Sequence, residues 1–301
     1  MKFDLEPGKY IVAVSGGVDS VALLHFLHST FQLPASNFHF IVAHFDHGIR
    51  SDSQLDEQLV DEITKQFGLE FVSQKGELGV DASEAASRAA RYAFLRNTKK
   101  QYAATAIITA HHQDDMIETM IINMMRGTGR KGLSSLRSTN EIIRPFLAIT
   151  KKDILNYAIE NKLTWREDST NADTQYARNH IRAHVLPRFT TGQREQLLQH
   201  IHSSQRINQH LDVQLTHYLH IHPARDTLDR KLLAQLPHNV TKEVLASWLR
   251  SHGLRGFDAK TLERLAVAVK TAQIGVLVDV FAGCQLDMTN DNHIVLRTTG
   301  R

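Results

Sequence analysis

Short apolar segments alternate with longer amphipathic segments over the first 125 residues of the chain. The apolar segments have the length of strands and cover residues 11–14, 38–43, 70–73 and 105–109. The amphipathic segments have the length of helices and cover residues 18–29, 52–67, 83–102 and 113–125. This alternation predicts an α/β fold with a parallel sheet and helices on both faces. Ligands of such sheets bind at the carboxyl ends of the strands, so polar residues that directly follow a strand are the first site candidates.

The pattern changes in the second half of the chain. A strand at 142–147, cut by Pro145, precedes a helix at 150–161, and a long helical tract begins near Arg178. Beyond Pro223, we predict helices at 227–235, 239–252 and 258–270 and strands at 276–281, 285–288 and 293–297. These changes predict three parts, which are a catalytic domain over 1–185, a basic helical linker over 186–224 and a small α+β C-terminal module over 225–301.

The segment 15–20 follows the first predicted strand and opens the first predicted helix. Its members are Ser15, Gly16, Gly17, Val18, Asp19 and Ser20. Glycines let backbone N–H groups approach an anion, serines add hydroxyl donors, and the helix directs its positive dipole end to the same place. The segment lacks the lysine of a Walker A loop and the spacing of a Rossmann turn. We therefore predict a phosphate-binding loop. Asp19 would repel a phosphate, and a Mg²⁺ ion between them would relieve that repulsion.

A second polar group follows the fourth predicted strand. His111, Asp115 and Glu118 occupy the first turns of the next helix. A helix dipole stabilises acidic residues at this position, which explains an aspartate but not the preceding histidines. Asp115 is a candidate to hold Mg²⁺ together with Asp19; alternatively, Asp115 and Glu118 bind an ammonium group. The sequence leaves both roles open.

Two further polar stretches have a structural and a functional interpretation. Glu84, Arg88 and Arg91 share one face of a predicted helix, either as a surface ion-pair cluster or as a face turned toward a nucleotide or an anionic intermediate. The cluster at 43–50, which contains His44, Asp46 and His47, is either a solvated turn or part of the ligand edge, with metal ligation as a weaker alternative.

Basic residues accumulate in two places although the net charge is only +3. The segment 126–137 contains four basic residues and no acidic one, and 178–206 contains five arginines and one glutamate. Together these segments indicate a nucleic-acid interface. Cys284 is the single cysteine, which excludes an intrachain disulfide and a cysteine-based zinc site. No apolar leader or membrane-length apolar run occurs, so we expect a cytoplasmic protein without membrane contact.

Segment 15–20 resembles the pyrophosphate-binding loop of the ATP pyrophosphatases, and the larger set of motifs resembles the tRNA(Ile)-lysidine synthases. The matching segments occur in the family's order at 15–20, 43–50, 83–92, 109–119, 126–133, 144–147, 168–171 and 178–182. The His-His-x-Asp-Asp-x-x-Glu-Thr block and the Asp-Ser-Thr-Asn block separate this family from other users of the loop better than the loop does.

The resemblance implies a ligase that uses ATP to attach L-lysine to C2 of the wobble cytidine in tRNA(Ile) with a CAU anticodon. It implies that the phosphate loop holds the pyrophosphate moiety and that Asp19 and Asp115 bind Mg²⁺, or that Asp115 and Glu118 bind the lysine amine. His111 would steady a phosphate or the leaving AMP, and Arg91 would contact the lysine carboxylate or a phosphate. Arg178 and Arg182 would face phosphates of ATP or tRNA.

Other functions remain as alternatives to this expectation. One is another PP-loop ligase for a small molecule, and a second is an RNA thiolase, which would relay sulfur through cysteines or an iron–sulfur cluster. A third is a non-catalytic module that binds an adenine nucleotide. Charged residues at four successive strand ends argue against simple binding, and the single cysteine argues against the thiolase. The oligomeric state is not indicated by the sequence.

Overall fold

The structure is a computed structural model that describes residues 3–31, 37–48, 52–76, 83–128, 130–134, 136–167, 177–221, 226–281, 283–289 and 292–298. It divides into two compact units. Unit 1 comprises Met1–Ile122 and Ser135–Leu198, and unit 2 comprises Asn123–Ser134 and Gln199–Arg301. Four parts of the predicted motifs and basic segments, at 49–50, 129, 135 and 168–171, lie outside the described residues.

Unit 1 contains a five-stranded sheet in which all neighbouring strands are parallel. Its strands are β1 (Gly8–Ala13), β2 (Phe38–Asp46), β3 (Glu70–Lys75), β4 (Ala106–Ile108) and β5 (Ile142–Ile143). Their spatial order is β3-β2-β1-β4-β5, so the chain reverses direction of winding at β1. The predicted α/β class is confirmed, and the carboxyl ends of β1 and β4 lie side by side at the switch point where such sheets bind ligands.

Eleven helices are assigned within the described residues. They are α1 (Val18–Phe31), α2 (Ser53–Gln66), α3 (Glu84–Gln101), α4 (Gln113–Met125), α5 (Arg130–Leu133), α6 (Lys151–Glu160), α7 (Ala177–His180), α8 (Thr191–Ile221), α9 (Arg230–Gln235), α10 (His238–Ser251) and α11 (Ala259–Thr271). The predicted tract from Arg178 is interrupted, because a π-helical turn at Ile181–Val185 and a 3₁₀ turn at Leu186–Arg188 separate α7 from α8. Pro187 has no N–H to continue an α-helix there.

Helices cover both faces of the sheet, as the alternation in β1 requires. Tyr10 and Val12 face one core, where they meet Leu23 of α1 and Ile154 of α6. Ile11 points to the opposite face and lies in a second core with residues of α3 such as Leu95. A strand buried on both faces reads as a continuous apolar run, which is why β1 was predictable from the sequence.

Unit 2 contains a four-stranded antiparallel sheet in the order β6-β9-β8-β7. Its strands are β6 (Thr227–Asp229), β7 (Leu277–Phe281), β8 (Cys284–Met288) and β9 (His293–Thr298). Trp248 of α10 and Leu265 of α11 are buried against this sheet. The predicted helix at 227–235 is wrong over its first three residues, which form β6. Asp229 then accepts a hydrogen bond of 2.9 Å from the Leu232 N–H and caps α9.

The division into units differs in position from the predicted boundaries at 185 and 225. One boundary between the units lies between Leu198 and Gln199, within α8, and the segment Asn123–Ser134 belongs to unit 2. Over the described part of the chain, no helix is both long enough and apolar enough to cross a membrane.

Candidate active site

A cavity of about 640 Å³ lies in unit 1 at the carboxyl ends of β1, β2 and β4. Most of the sequence-predicted site residues line it, namely Ser15, Gly17, Val18, Asp19, Ser20, Arg91, His111, Asp115 and Arg182. Gly16 is part of the loop but not of the cavity lining, and Glu118 is completely buried behind it. Residues that are far apart in the sequence of unit 1 therefore line one cavity, as the sheet topology predicts.

The phosphate loop (residues 15–20) is closed by its own serines. The Ser15 N–H donates to Ser20 Oγ at 3.1 Å, and Ser20 Oγ donates to the Gly17 carbonyl at 2.9 Å. Gly16 has φ of +91°, and a Cβ there would lie 3.4 Å from Asp56 Cβ. Only glycine adopts this backbone without strain. Helix α1 begins directly after Gly17, whose carbonyl accepts the Ser20 and Val21 N–H groups at 3.1 and 3.0 Å. A helix N-terminus that follows a glycine loop in this way is suited to binding an anion.

Arg166 links the phosphate loop to α2 and to the residue before it. Its N–H donates to the Gly16 carbonyl at 3.0 Å. Its guanidinium donates to Asp56 at 2.7 Å and to Asp52 at 2.8 Å. These bonds fix the left-handed Gly16 position relative to α2, so the loop is preorganised rather than shaped by a ligand.

Asp19 and Asp115 lie on either side of the His112 imidazole. His112 Nε2 is 3.7 Å from Asp19 Oδ2 and 3.6 Å from Asp115 Oδ2. Asp115 Oδ2 also accepts the His112 N–H at 2.9 Å, so a residue of the first turn of α4 reaches back to the N–H that precedes the helix, as in a capping box. On its other side, Asp19 Oδ1 is 2.5 Å from Lys151 Nζ. The two predicted metal ligands are thus brought together, but each already has charged or polar neighbours.

This donor set fits Mg²⁺ held jointly with phosphates. Within the described ranges, no group of three or more His, Cys, Asp or Glu side chains is arranged to hold a metal ion. Mg²⁺ usually takes one or two carboxylates, with phosphate oxygens and waters as its remaining ligands. Asp19 and Asp115 line the same cavity as the phosphate loop and supply oxygen ligands of that kind.

The two titratable groups at the start of α4 have pKa values below their ordinary ones. Burial lowers the pKa of His111 to about 3, and the charges of Arg144 and Arg91 act in the same direction against that of Asp115. Burial raises the pKa of Asp115, but the His112 imidazole, its N–H group and Arg182 lower it by more. His111 is therefore neutral and Asp115 is ionised near neutral pH. His111 Nδ1 shares a hydrogen bond of 2.8 Å with Thr109 Oγ1.

Glu118 is occupied by an arginine rather than open to the cavity. Arg182 donates from Nε to Glu118 Oε1 at 2.8 Å and from Nη2 to Oε2 at 2.9 Å. The same Nη2 lies 3.3 Å from Asp115 Oδ1, and Arg178 Nε lies 3.7 Å from Glu118 Oε2. Burial raises the pKa of Glu118, although the bonds from Arg182 oppose this shift. Arg182 thus pairs with the buried Glu118 carboxylate and also lines the cavity.

Arg91 belongs to an arginine cluster around Tyr92. The guanidinium carbons of Arg88, Arg91 and Arg96 lie 4.9, 5.5 and 5.7 Å from the centre of the Tyr92 ring. Burial lowers the pKa of Arg91, and the charges of Arg88 and Arg178 lower it further, whereas Tyr92 raises it. Arg91 is the member of this cluster that lines the cavity, where its positive charge attracts an anionic ligand. Glu84, which was predicted to share a helix face with Arg88 and Arg91, accepts a hydrogen bond of 2.9 Å from Arg178.

Two residues of the predicted cluster at 43–50 have structural partners. His44 Nδ1 forms a hydrogen bond of 2.9 Å with the Val14 carbonyl. Asp46 accepts from the Gly48 N–H at 2.7 Å and from Ser53 Oγ at 2.9 Å. These contacts hold the turn after β2 and account for both side chains without a metal ion.

The basic segment 126–137 is only partly available for a phosphate. We call Arg130, Lys131, Asn208, Asp212 and Glu243 the Arg130 cluster. Arg130 donates to Asn208 at 2.6 Å and to Asp212 at 3.1 Å, and it lies 2.8 Å from Glu243. Lys131 Nζ lies 2.9 Å from Asp212. Two of the four basic residues are thus paired inside unit 2, and the expectation of a free basic loop is corrected to this extent.

Sequence reasoning missed Lys151, Arg166 and Asp56 as cavity residues, and it missed His112 as the neighbour of both Asp19 and Asp115. Lys151 begins the helix after the fifth strand, so the rule that ligands bind at strand carboxyl ends would have found it. His112 was present in the His-His pair, but nothing local separates its role from that of His111. Arg166 and Asp56 are far apart in the sequence, and only packing shows that they meet.

The fold and the loop together define a PP-loop protein, and comparison with known proteins agrees. A family model described as a PP-loop domain matches residues 2–189. In solved structures, the chain is similar to the U34-tRNA thiolase NcsA from Methanococcus maripaludis with its [4Fe-4S] cluster. That match has a TM-score of 0.56 and 17% identity, and it covers 68% of this chain and 74% of the other. At this identity it shows a shared fold.

Curated relatives identify one family within the class of PP-loop proteins. The tRNA(Ile)-lysidine synthase of Chlorobaculum tepidum is 33% identical and covers 96% of this chain and 91% of the relative. That of Ralstonia nicotianae is 32% identical over 84% of this chain and 57% of the relative. That of Bacillus subtilis is 40% identical, but the match covers 61% of this chain and 41% of the relative, so this chain spans less than half of that protein. The chain belongs to the tRNA(Ile)-lysidine synthase family.

Proposed function

We propose that this chain is a cytoplasmic ligase that joins L-lysine to C2 of the wobble cytidine in tRNA(Ile) with a CAU anticodon and consumes ATP. The observation that supports this most is the cavity of unit 1. It combines a phosphate loop, two carboxylates and the arginines Arg91, Arg166 and Arg182 in a member of this family. That combination suits chemistry in which a phosphate leaves and an amine attacks.

The reaction has two balanced steps. The C2 carbonyl oxygen of the cytidine attacks the α-phosphorus of ATP, the bond to the β-phosphate oxygen breaks, and pyrophosphate leaves with the electron pair. An amine of lysine then attacks C2 and loses a proton, and AMP leaves with the former carbonyl oxygen. The wobble base must be turned out of the anticodon stack to reach the cavity.

The phosphate loop would bind the β- and γ-phosphates through Ser15, Gly16, Gly17, Val18 and Ser20. Asp19 and Asp115 would hold Mg²⁺, which supplies positive charge to the leaving pyrophosphate. Arg91 would face the α-phosphate or the lysine carboxylate, since its positively charged side chain lines the cavity. A neutral His111 offers one donor and one acceptor, which suits a hydrogen bond to a phosphate oxygen or to AMP.

The burial of Glu118 bears on how the amine is bound. The exposed fraction of Glu118 is 0%, and both of its oxygens accept from Arg182. Asp115 lines the cavity and is ionised, so Asp115 is the better placed of the two to meet an amine. Glu118 then contributes through Arg182, which it holds beside Asp115. Asp115 would serve the metal ion in the first step and the amine in the second.

Unit 1 would thus carry the catalysis, and unit 2 would bind or orient the tRNA. We assign tRNA binding to two surfaces of unit 2. One is the face of α8 after Gln199 that contains histidines and an arginine, and the other is formed by the exposed basic residues Arg126 and Arg206. Phosphate contacts of this kind position a nucleic acid without reading its sequence.

The proposal is tested by incubating the protein with ATP, Mg²⁺, labelled lysine and tRNA(Ile) with a CAU anticodon. We expect label in this tRNA and release of AMP and pyrophosphate in equal amounts. The matched control is methionine tRNA, which has the same anticodon. Absence of label, or equal labelling of both tRNAs, would overturn the proposal, and label from a sulfur donor would indicate a thiolase instead.

A further inference from the structure

Lys151 is a cavity cation that the sequence did not assign to any function. It is the first residue of α6, and its ammonium nitrogen is 2.5 Å from Asp19 Oδ1. Both residues line the cavity that contains the phosphate loop. Lys151 therefore pairs with the carboxylate that the proposed function assigns to Mg²⁺.

The backbone of Lys151 is held firmly relative to the phosphate loop. Thr150 caps α6 by accepting the Asp153 N–H at 3.1 Å. The helix packs on α1, where Ile154 is fully buried and Tyr157 shares a hydrogen bond of 2.8 Å with His25. Since α1 begins in the phosphate loop, Lys151 starts from a fixed position and only its side chain is free to move.

The ion pair itself is a weak one. The side chains of Lys151 and Asp19 are 41% and 30% exposed, and ion pairs with this exposure are screened by water. A divalent cation that arrives with two negatively charged phosphates competes well for the carboxylate. The lysine then has a flexible four-carbon stem and a charge beside the most anionic part of the nucleotide.

We propose that Lys151 is a phosphate-binding residue that rests on Asp19 in the nucleotide-free protein and turns to the β- and γ-phosphates when MgATP binds. It keeps Asp19 neutralised while the cavity is empty of nucleotide. It then stabilises the charge that develops on the departing pyrophosphate. This inference rests on the proposed use of ATP, but not on lysine or tRNA as the other substrates.

The test compares Lys151→Met with Lys152→Met by calorimetric titration with MgATP, with magnesium pyrophosphate and with AMP, without tRNA or lysine. Lys152 is the next residue of the same helix, is exposed and does not line the cavity, so it matches the change in charge. Losing one charge-assisted contact should weaken MgATP and pyrophosphate binding by about 10- to 100-fold in Lys151→Met, with AMP binding unchanged. Lys152→Met should bind all three like the unchanged protein.

Two results would overturn the inference. If Lys151 only neutralises Asp19, its removal frees the carboxylate and MgATP binds more tightly to Lys151→Met. If affinity for MgATP and pyrophosphate is unchanged, Lys151 does not reach the phosphates. Lys151→Arg should retain most of the pyrophosphate affinity, which separates loss of charge from a folding defect. A failure to label tRNA with lysine would refute the proposed function but leave these binding results intact.

Discussion

The cavity of unit 1 and the Arg130 cluster of unit 2 are both built from opposite charges, but they differ in what surrounds them. In the Arg130 cluster, Arg130 meets Asn208, Asp212 and Glu243, and the charges neutralise one another within the unit. In the cavity, Asp19, Asp115 and Arg182 also form pairs, yet each of these side chains lines open space. A cluster of charged residues thus indicates a ligand site when its side chains line a cavity. It indicates a structural role when its side chains only pair with one another.

The largest effect expected from this difference is on catalysis. Asp19→Asn and Asp115→Asn each remove a negative charge from the cavity while keeping the shape of the side chain. We expect each variant to reduce the rate of lysidine formation by at least about 100-fold, because the leaving group loses its metal-bound stabilisation. Single-turnover rates measure this, and tRNA binding should stay near normal. Substantial activity in either variant would refute its assignment.

A smaller effect is expected in the Arg130 cluster. Arg130→Met leaves two carboxylates without their shared partner, so unit 2 should lose about 1–2 kcal/mol of its free energy of unfolding. Urea denaturation can follow this through the fluorescence of the buried Trp248 in a Trp165→Phe background. MgATP binding should not change. If tRNA binding is weaker and stability is unchanged, Arg130 binds phosphate instead of stabilising unit 2.

The low pKa of His111 predicts an acid-sensitive unit 1. Its pKa is about 3 when folded and near 6.5 in the unfolded chain, so between these values only the unfolded state takes up the proton. Stability should therefore be complete above about pH 6.5 and fall as the pH drops, by up to about 1.4 kcal/mol per pH unit from this residue. His111→Asn should show a shallower fall between pH 6 and pH 4 in denaturation followed by circular dichroism. Equal slopes would contradict the buried, neutral state.

The smallest effect is expected for an ion pair that neither lines a cavity nor is buried. Lys65 Nζ lies 2.6 Å from Asp61 on the surface of α2, and the Lys65 side chain is 73% exposed. Lys65→Gln should change the free energy of unfolding by less than about 0.5 kcal/mol. A loss as large as that of Arg130→Met would show that burial does not separate the two kinds of pair.

The family, the fold class and the phosphate loop were predictable because their signals are local. Gly16 and Ser20 lie within one short segment, and the apolar run of β1 marks a strand buried on both faces. The roles of the individual site residues and the three-part division at 185 and 225 stay predictions.

Other features depended on contacts between distant parts of the chain. Lys151 and Asp19 are 132 positions apart in the sequence, and no local pattern predicts that they form an ion pair. Glu118 looked like a cavity acid because it follows Asp115 on the same helix, but packing buries it under Arg182. Arg130 looked free because its partners lie about 80 and 110 residues further along the chain.

The most direct test of the central claim is the mass of the wobble nucleoside of tRNA(Ile) with a CAU anticodon after reaction with the protein, ATP, Mg²⁺ and lysine. We predict cytidine heavier by one lysine less one water, with no such product in the Asp19→Asn reaction. Unchanged cytidine, or a nucleoside in which sulfur has replaced the C2 oxygen, would contradict the account of the cavity as a site of ATP-dependent lysine ligation.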